Sequence, residues 1–291
     1  VHAVAKIVAL GGDYKKTRLS LQEYFGSPGL DRIKWGKPFT ALLGAYLVQT
    51  ELAIPSIGGK DSMSGTYKDL DVPPTVIAFA VNTVPAHQVI SPEFKEAGSK
   101  VIWLRVKEDK YSLPDFTDLK EKYDQVYQLI REGKVLAASA VQYGGLAATI
   151  SKMCFGNNLG FTFKENIFSG DIKEEELFLP EYGSIILELK DGVEPDSIAG
   201  AIVLGETSSE AVLKIGEVEI RLEEALESWI RPLDEVYPAR AEKTLTGSSE
   251  QVLNIDYYSP EERKKAKGKL AKPTVFIPVF PGTGGEYELA H

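Results

Sequence analysis

Eight residues, Gly58-Gly59-Lys60-Asp61-Ser62-Met63-Ser64-Gly65, hold the densest set of groups in the chain that could bind an anion. Paired glycines let a backbone approach a ligand closely and leave amides free to point at it, while Lys60, Ser62 and Ser64 add a positive charge and hydroxyl donors. Phosphate is the ligand that such a set suits. Asp61, followed by Asp69 and Asp71, offers carboxylate oxygens of the kind Mg²⁺ takes beside a phosphate. The spacing matches neither the P-loop nor the dinucleotide-binding fingerprint, so a tight structural turn with a capping Asp stays open as the alternative.

A second glycine pair, Gly144-Gly145, opens a run with helical spacing and could accept an anion at the helix start, although an ordinary strand-to-helix turn uses the same residues. The three histidines, His2, His87 and His291, lie far apart, and no Ser/His/Asp or Cys/His set can be built from them. Cys154, between Met153 and Phe155, reads as a small core residue.

The elements that must position these groups follow from the apolar pattern. Ala3 to Leu10 reads as a buried strand entering Gly11-Gly12-Asp13, as in a chain that starts inside a domain. Phe39 to Leu52 has helical spacing, with Pro38 where a first-turn proline is tolerated. Ala53 to Ile57 and Thr75 to Val84 are apolar runs, which makes Gly58 to Gly65 a loop slung between two strands. Strands are expected over Lys100 to Val106, Val135 to Val141, Gly160 to Phe163, Ser184 to Leu189, Ala201 to Leu204 and Ala211 to Ile215. Helices are expected over Lys120 to Glu132, Leu146 to Phe155 and Glu219 to Trp229. Such mixing predicts a layered α/β (α+β) fold with a second domain opening near Ser91. Glu235 to Lys272 turns polar and reads as a linker, and Thr274 to Thr283 as a new first strand.

With 291 residues, 43% hydrophobic and 26% charged, the composition is that of a globular protein of about two domains. A net charge of −9 argues against general nucleic-acid binding. The basic run Arg263, Lys264, Lys265, Lys267, Lys269 and Lys272 sits among prolines and glycine and reads as solvated linker, with a docking site as the other option. A single cysteine cannot form an internal disulfide, which fits a reducing cytoplasm. No apolar run approaches ~20 residues, so no membrane helix is expected.

The string Ile57 to Gly65, followed by Asp69-Leu70-Asp71-Val72-Pro73-Pro74-Thr75, resembles the large single-chain phosphoribosylformylglycinamidine synthases. So do Leu19 to Phe25, Trp35-Gly36-Lys37-Pro38, Tyr143 to Leu146 and Lys152 to Asn157, while Ile277 to Thr283 resembles the opening of the class I glutaminase domain that ends those enzymes. The resemblance implies an aminoimidazole ribonucleotide synthetase-like fold of two subdomains. Residues 1–90 would be the later part of the second ATP-binding-type subdomain, 91–235 its C-terminal companion, 236–272 a linker and 273–291 the start of the glutaminase domain.

The implied reaction is the ATP-dependent conversion of formylglycinamide ribonucleotide (FGAR) to the amidine, with ammonia from glutamine. Implied with it are ATP and Mg²⁺ as cofactors, and a first synthetase half and a glutaminase domain as partners. By the same resemblance Gly59 falls at a nucleotide contact and Ser62 at a substrate contact; Gly58 and Lys60 are added to the nucleotide site, and Asp61 is taken as the metal ligand, on their chemistry. Lys60 occupies a position used for metal in smaller members, a role that a protonated lysine cannot take over. Where other large members carry acidic residues before the second glycine pair, this chain has Ala140-Val141-Gln142-Tyr143, which points to a weakened accessory nucleotide site. Gly284-Gly285-Glu286 also departs from the usual Asn-containing glutaminase turn. A chain of this extent is expected to be inactive alone in the full reaction and to expose an apolar sheet edge or face through which it could form a homodimer. Two rival readings are a freestanding nucleotide-binding regulatory module and a catalytically silent structural half.

Overall fold

The structure, a computed structural model, describes residues 1–165, 167–169, 172–237, 274–281 and 283–290. The chain divides into two compact units, Val1–Ala239 and Arg240–His291.

The larger unit contains two main sheets. A three-stranded sheet orders its strands β2-β1-β5, with β1 at Arg18–Tyr24, β2 at Ser56–Ser62 and β5 at Thr75–Val81. β1 runs parallel to β2 and antiparallel to β5. Between β2 and β5 a small hairpin pairs β3 (Thr66–Tyr67) with β4 (Leu70–Asp71). The second sheet has seven strands in the order β12-β11-β8-β10-β6-β9-β7. These are β6 Lys100–Leu104, β7 Val135–Ala140, β8 Gly160–Phe163, β9 Ile185–Leu189, β10 Ala201–Ser208, β11 Val212–Ile215 and β12 Val218–Arg221.

Both faces of the seven-stranded sheet are buried at its centre, and alternation along the strands divides two cores. Ile102 and Leu104 of β6 and Ile185, Leu187 and Leu189 of β9 join α1 (His2–Ala9) and α3 (Phe116–Arg131) in the first. Val101, Trp103 and Ile186 point the other way, onto α4 (Gly145–Phe155), with Phe94, Phe161, Met153 and Cys154. Period-2 side-chain direction in a strand with two covered faces requires this near-continuous apolar sequence. α3 is set by local chemistry as well: Asp115 caps it by accepting from the amides of Thr117 and Asp118, and Leu119, Tyr123, Val126 and Ile130 form its buried stripe.

Four expectations are corrected. Ala3 to Leu10 is not a strand: residues 2–9 form α1, because the buried positions Val4, Ala5, Val8 and Ala9 recur at helical spacing and cover one face. The next helix, α2, runs Arg32–Leu52 with Asp31 as its cap, so Pro38 lies inside it rather than in its first turn. Gly58 to Ser62 belongs to β2 and is not a loop, since β1 supplies a strand partner that local propensity cannot reveal. Glu219 does not start a helix: Val218–Arg221 pairs with β11, and α5 begins at Leu222 and ends at Ile230. The other strands and helices expected between Lys100 and Ile215 are present, with β10 extended to Ser208, and of the run Ala53 to Ile57 only Ser56 and Ile57 lie in a strand.

The two sheets lie on either side of residue 91 in sequence, and the first core takes residues from both, Leu19, Leu52 and Ile54 together with Ile102 and Leu104. Residues 238–273, and so nearly all of the expected linker and its basic run, lie outside the described residues. Residues 274–280 carry no strand, and α6 spans Glu286–Ala290. An apolar run becomes a strand only where a second strand offers its ladder.

Just before β6, Glu93 accepts from Lys95 Nζ and Ser91 Oγ, and the Lys95 contact leads in holding its carboxyl down at about 2. A carboxylate with a lowered folded value stabilises the fold fully above its unfolded value near 4.5 and loses that contribution as the pH falls toward 2. Glu93→Gln is therefore expected to flatten the acid limb of the stability curve between those values, read by thermal unfolding at stepped pH. An unchanged acid limb would contradict the assignment.

Candidate nucleotide site

β2 is an edge strand, so alternate amides along it point away from β1 and are open to a ligand. Gly59 is required by close approach: a methyl group there would come within 2.5 Å of the Leu21 carbonyl oxygen across the ladder. Gly58 has open space beside it. The register places Ser20, Gln22 and Tyr24 of β1 opposite Gly58, Lys60 and Ser62 of β2. By the pleat, these six share one face, and Thr75, Ile77 and Phe79 of β5 extend it.

On that face the Lys60 ammonium stands 4.7 Å from the centroid of the Tyr24 ring, a cation–π contact that steers it along the strand. Ser62 Oγ and Ser64 Oγ lie 3.3 Å apart at the strand's end. Lysine and the Ser62 hydroxyl thus share this face, and the outward amides line its edge. Gln22 and Tyr24 belong to the same surface and were not among the expected site residues. The alternation in Arg18-Leu19-Ser20-Leu21-Gln22 was the signal that could have found them.

The carboxylates do not converge with these groups. Asp61 sits between Lys60 and Ser62 and so points to the opposite face, beside Glu23 of β1. Asp71 is committed elsewhere: it accepts from Thr66 Oγ1 at 2.7 Å and Lys34 Nζ at 3.1 Å, and these two hold its carboxyl below the ordinary value, tying the β3–β4 hairpin to the start of α2. Among the described residues no group of three or more His, Cys, Asp or Glu could hold a metal ion. The expected pairing of Asp61 with Mg²⁺ at the phosphate contacted by Lys60 therefore does not fit this geometry.

At the second glycine pair, Gly144 (φ +87°) and Gly145 (φ +64°) adopt a conformation that suits glycine and start α4. Here the turn is covered: a methyl group on Gly145 would meet the carbonyl oxygens of Leu177 and Leu179 at 2.5 and 2.7 Å. Cys154 is fully buried, and burial pushes its thiol up to about 12, which removes it as a nucleophile.

No family model matches the chain. A curated relative, the phosphoribosylformylglycinamidine synthase subunit PurL of Methanobrevibacter smithii, is 24% identical over 234 residues, which cover 70% of this chain and 32% of that protein. The chain thus spans about a third of the length of that relative. Solved structures of T. maritima PurL complexed with ATP, ADP, AMPPCP or FGAR superpose with TM-scores of 0.55 to 0.57 at 14% identity, covering 76 to 91% of this chain and 39 to 44% of theirs. The hydrogenase maturation protein HypE superposes with a TM-score of 0.55 at 14% identity, covering 76% of this chain and 80% of its own. The chain has the mixed α/β fold of these structures, the aminoimidazole ribonucleotide synthetase-like fold.

Proposed function

We propose that this chain is one synthetase half of a phosphoribosylformylglycinamidine synthase, a glutamine-dependent carbon–nitrogen ligase of purine biosynthesis acting in the cytoplasm. The observation that carries the reading is the coincidence of a PurL-type fold with Lys60 and Ser62 on one accessible face, bordered by the open amides of the β2 edge. On this reading Gly58, Gly59 and Lys60 receive the phosphates of ATP, and Ser62 contacts the ribonucleotide. ATP transfers its γ-phosphoryl group to the amide oxygen of FGAR. Ammonia then adds to that carbon, phosphate leaves with the oxygen, and a proton is lost to solvent. Mg²⁺ would have to be held by groups other than Asp61, and no step is assigned to it. Glutamine hydrolysis falls to a separate domain, since the one cysteine here is buried and unreactive.

A partner half is part of the proposal. Ile77, Phe79 and Val81 stand 39 to 59% exposed on the face that carries Lys60. Trp35, Phe39, Leu42, Leu43 and Tyr46 stand exposed on α2. Apolar surface on this scale marks an interaction site. The isolated chain is expected to sediment as a dimer or larger, and Phe79→Glu to shift it toward monomer. A monodisperse monomer for the unaltered chain would contradict the partner surface.

A freestanding nucleotide-binding module is the second reading, favoured by the 80% coverage of HypE against about 40% of PurL. Thermal unfolding with Mg·ATP and then with added FGAR separates the two. A nucleotide-dependent rise of several degrees with a further rise from FGAR supports the synthetase half; a rise with nucleotide alone supports the module. No rise with either ligand would remove both.

A further inference from the structure

Residues 173–183 cross the first turn of α4 with little to fasten them. Among the described residues the backbone hydrogen bonds of 173–183 are local, from Glu176 to Lys173, Phe178 to Glu175, Leu179 to Glu176 and Ser184 to Glu181, and Ser184 ends the segment, its carbonyl accepting from the Val141 amide and its Oγ from the Val106 amide. No ladder joins residues 173–183 to either sheet. Arg105, just beyond β6, fixes the segment at two points: its Nη2 donates to Glu176 at 2.8 Å and to Glu181 at 2.7 Å. The guanidinium carbon in turn lies 5.0 Å from the centroid of the buried Trp103 ring, which orients it. The segment rests on Gly145, where only a missing side chain leaves room for its backbone.

Beneath it, Leu177 and Phe178 form one wall of a cavity of about 420 Å³. Ala147 and Ser151 of α4 and Leu213 and Ile215 of β11 form others. Leu177 and Glu181 are buried, whereas Phe178, Leu179 and Tyr182 are exposed, Phe178 at the open side of the cavity. Residues 173–183 are held by the buried Leu177, by the Arg105 pair with Glu176 and the buried Glu181, and by the edge contact of Tyr182 with His2, and among the described residues they have no backbone bond to another element, which gives them the makings of an independently opening unit.

We propose that residues 173–183 are a strap that opens as a unit, with Arg105 as its latch, and that its release widens the apolar cavity between α4 and β11. Hydrogen exchange on the full chain tests this. In Arg105→Met the amides of residues 173–183 should exchange about tenfold faster or more, since charge-assisted bonds are lost. Exchange in β6, β9 and the interior of α4 should stay as in the wild type, and fluorescence of the apolar dye anilinonaphthalene sulfonate should rise. Gly145→Ala, which lifts the strap from the other side, should give the same regional pattern, and Glu176→Gln serves if Arg105→Met does not fold. Unaltered exchange in 173–183, or an increase spread evenly over β6, β9 and α4, would overturn the latch.

Discussion

Lys60→Ala is expected to weaken Mg·ATP binding by about 10- to 100-fold while leaving the fold intact. A charge-assisted hydrogen bond to phosphate contributes about 1.5–3 kcal/mol, and each 1.4 kcal/mol is about tenfold in affinity. Lys60 is exposed on an edge strand, and its contact with Tyr24 contributes only about 0.5–1 kcal/mol. Affinity and stability should therefore separate: calorimetric titration shows the loss, and the melting temperature without nucleotide barely moves. Equal affinity in wild type and variant would show that the phosphates lie elsewhere. Asp61→Asn, on the opposite face, should change the titration far less, which tests the direction assigned to each side chain.

The second large effect concerns stability. Glu188 lies on β9 with no solvent exposure, its carboxylate accepting from the backbone amides of Lys95 at 2.8 Å and Glu96 at 3.0 Å. It thereby pins the segment leading into β6 to the centre of the seven-stranded sheet. Glu188→Ala removes both acceptors and leaves a void, and a loss of about 3 kcal/mol is expected in urea unfolding at neutral pH. Burial pushes this carboxyl above its ordinary value, against the opposing pull of the two amides. A raised folded value means that the residue's contribution is largest below pH 4.5 and declines as the pH rises through the folded value. The difference between wild type and variant should therefore be larger at pH 4.5 than at pH 7.5. A loss under about 1 kcal/mol at both pH values would show that the carboxylate is dispensable.

How far these features could be read from sequence depends on whether their cause is local. α3 was legible from Lys120 onward because its buried stripe is consecutive in the chain, while its first turn and the Asp115 cap were missed, and Cys154 was legible because the residues flanking it are apolar. His2–Ala9 was misread because a short apolar run lacks the length that separates a buried strand from a helix. The start of α2 was missed by seven residues, since Pro38 looked like a first-turn residue and Asp31 had no apolar run beside it to mark the cap. At the site, the residue types were legible and their directions were not. Gly58 to Ser62 is a strand only because β1, some forty residues earlier, lies alongside. Once that pairing exists, the two-residue period sends Lys60 and Ser62 to one face and Asp61 to the other. The strap over α4 had no sequence signal, because Arg105 and its two glutamates are about seventy residues apart.

The most direct measurement is photolabelling of the chain with a photoreactive ATP analogue in the presence of Mg²⁺, followed by peptide mapping. Label on residues 56–64 or on the facing strand 18–24, suppressed by excess ATP and lost in Lys60→Ala, is the expected result. Label confined to other peptides, or none that ATP competes away, would contradict a nucleotide site on β2.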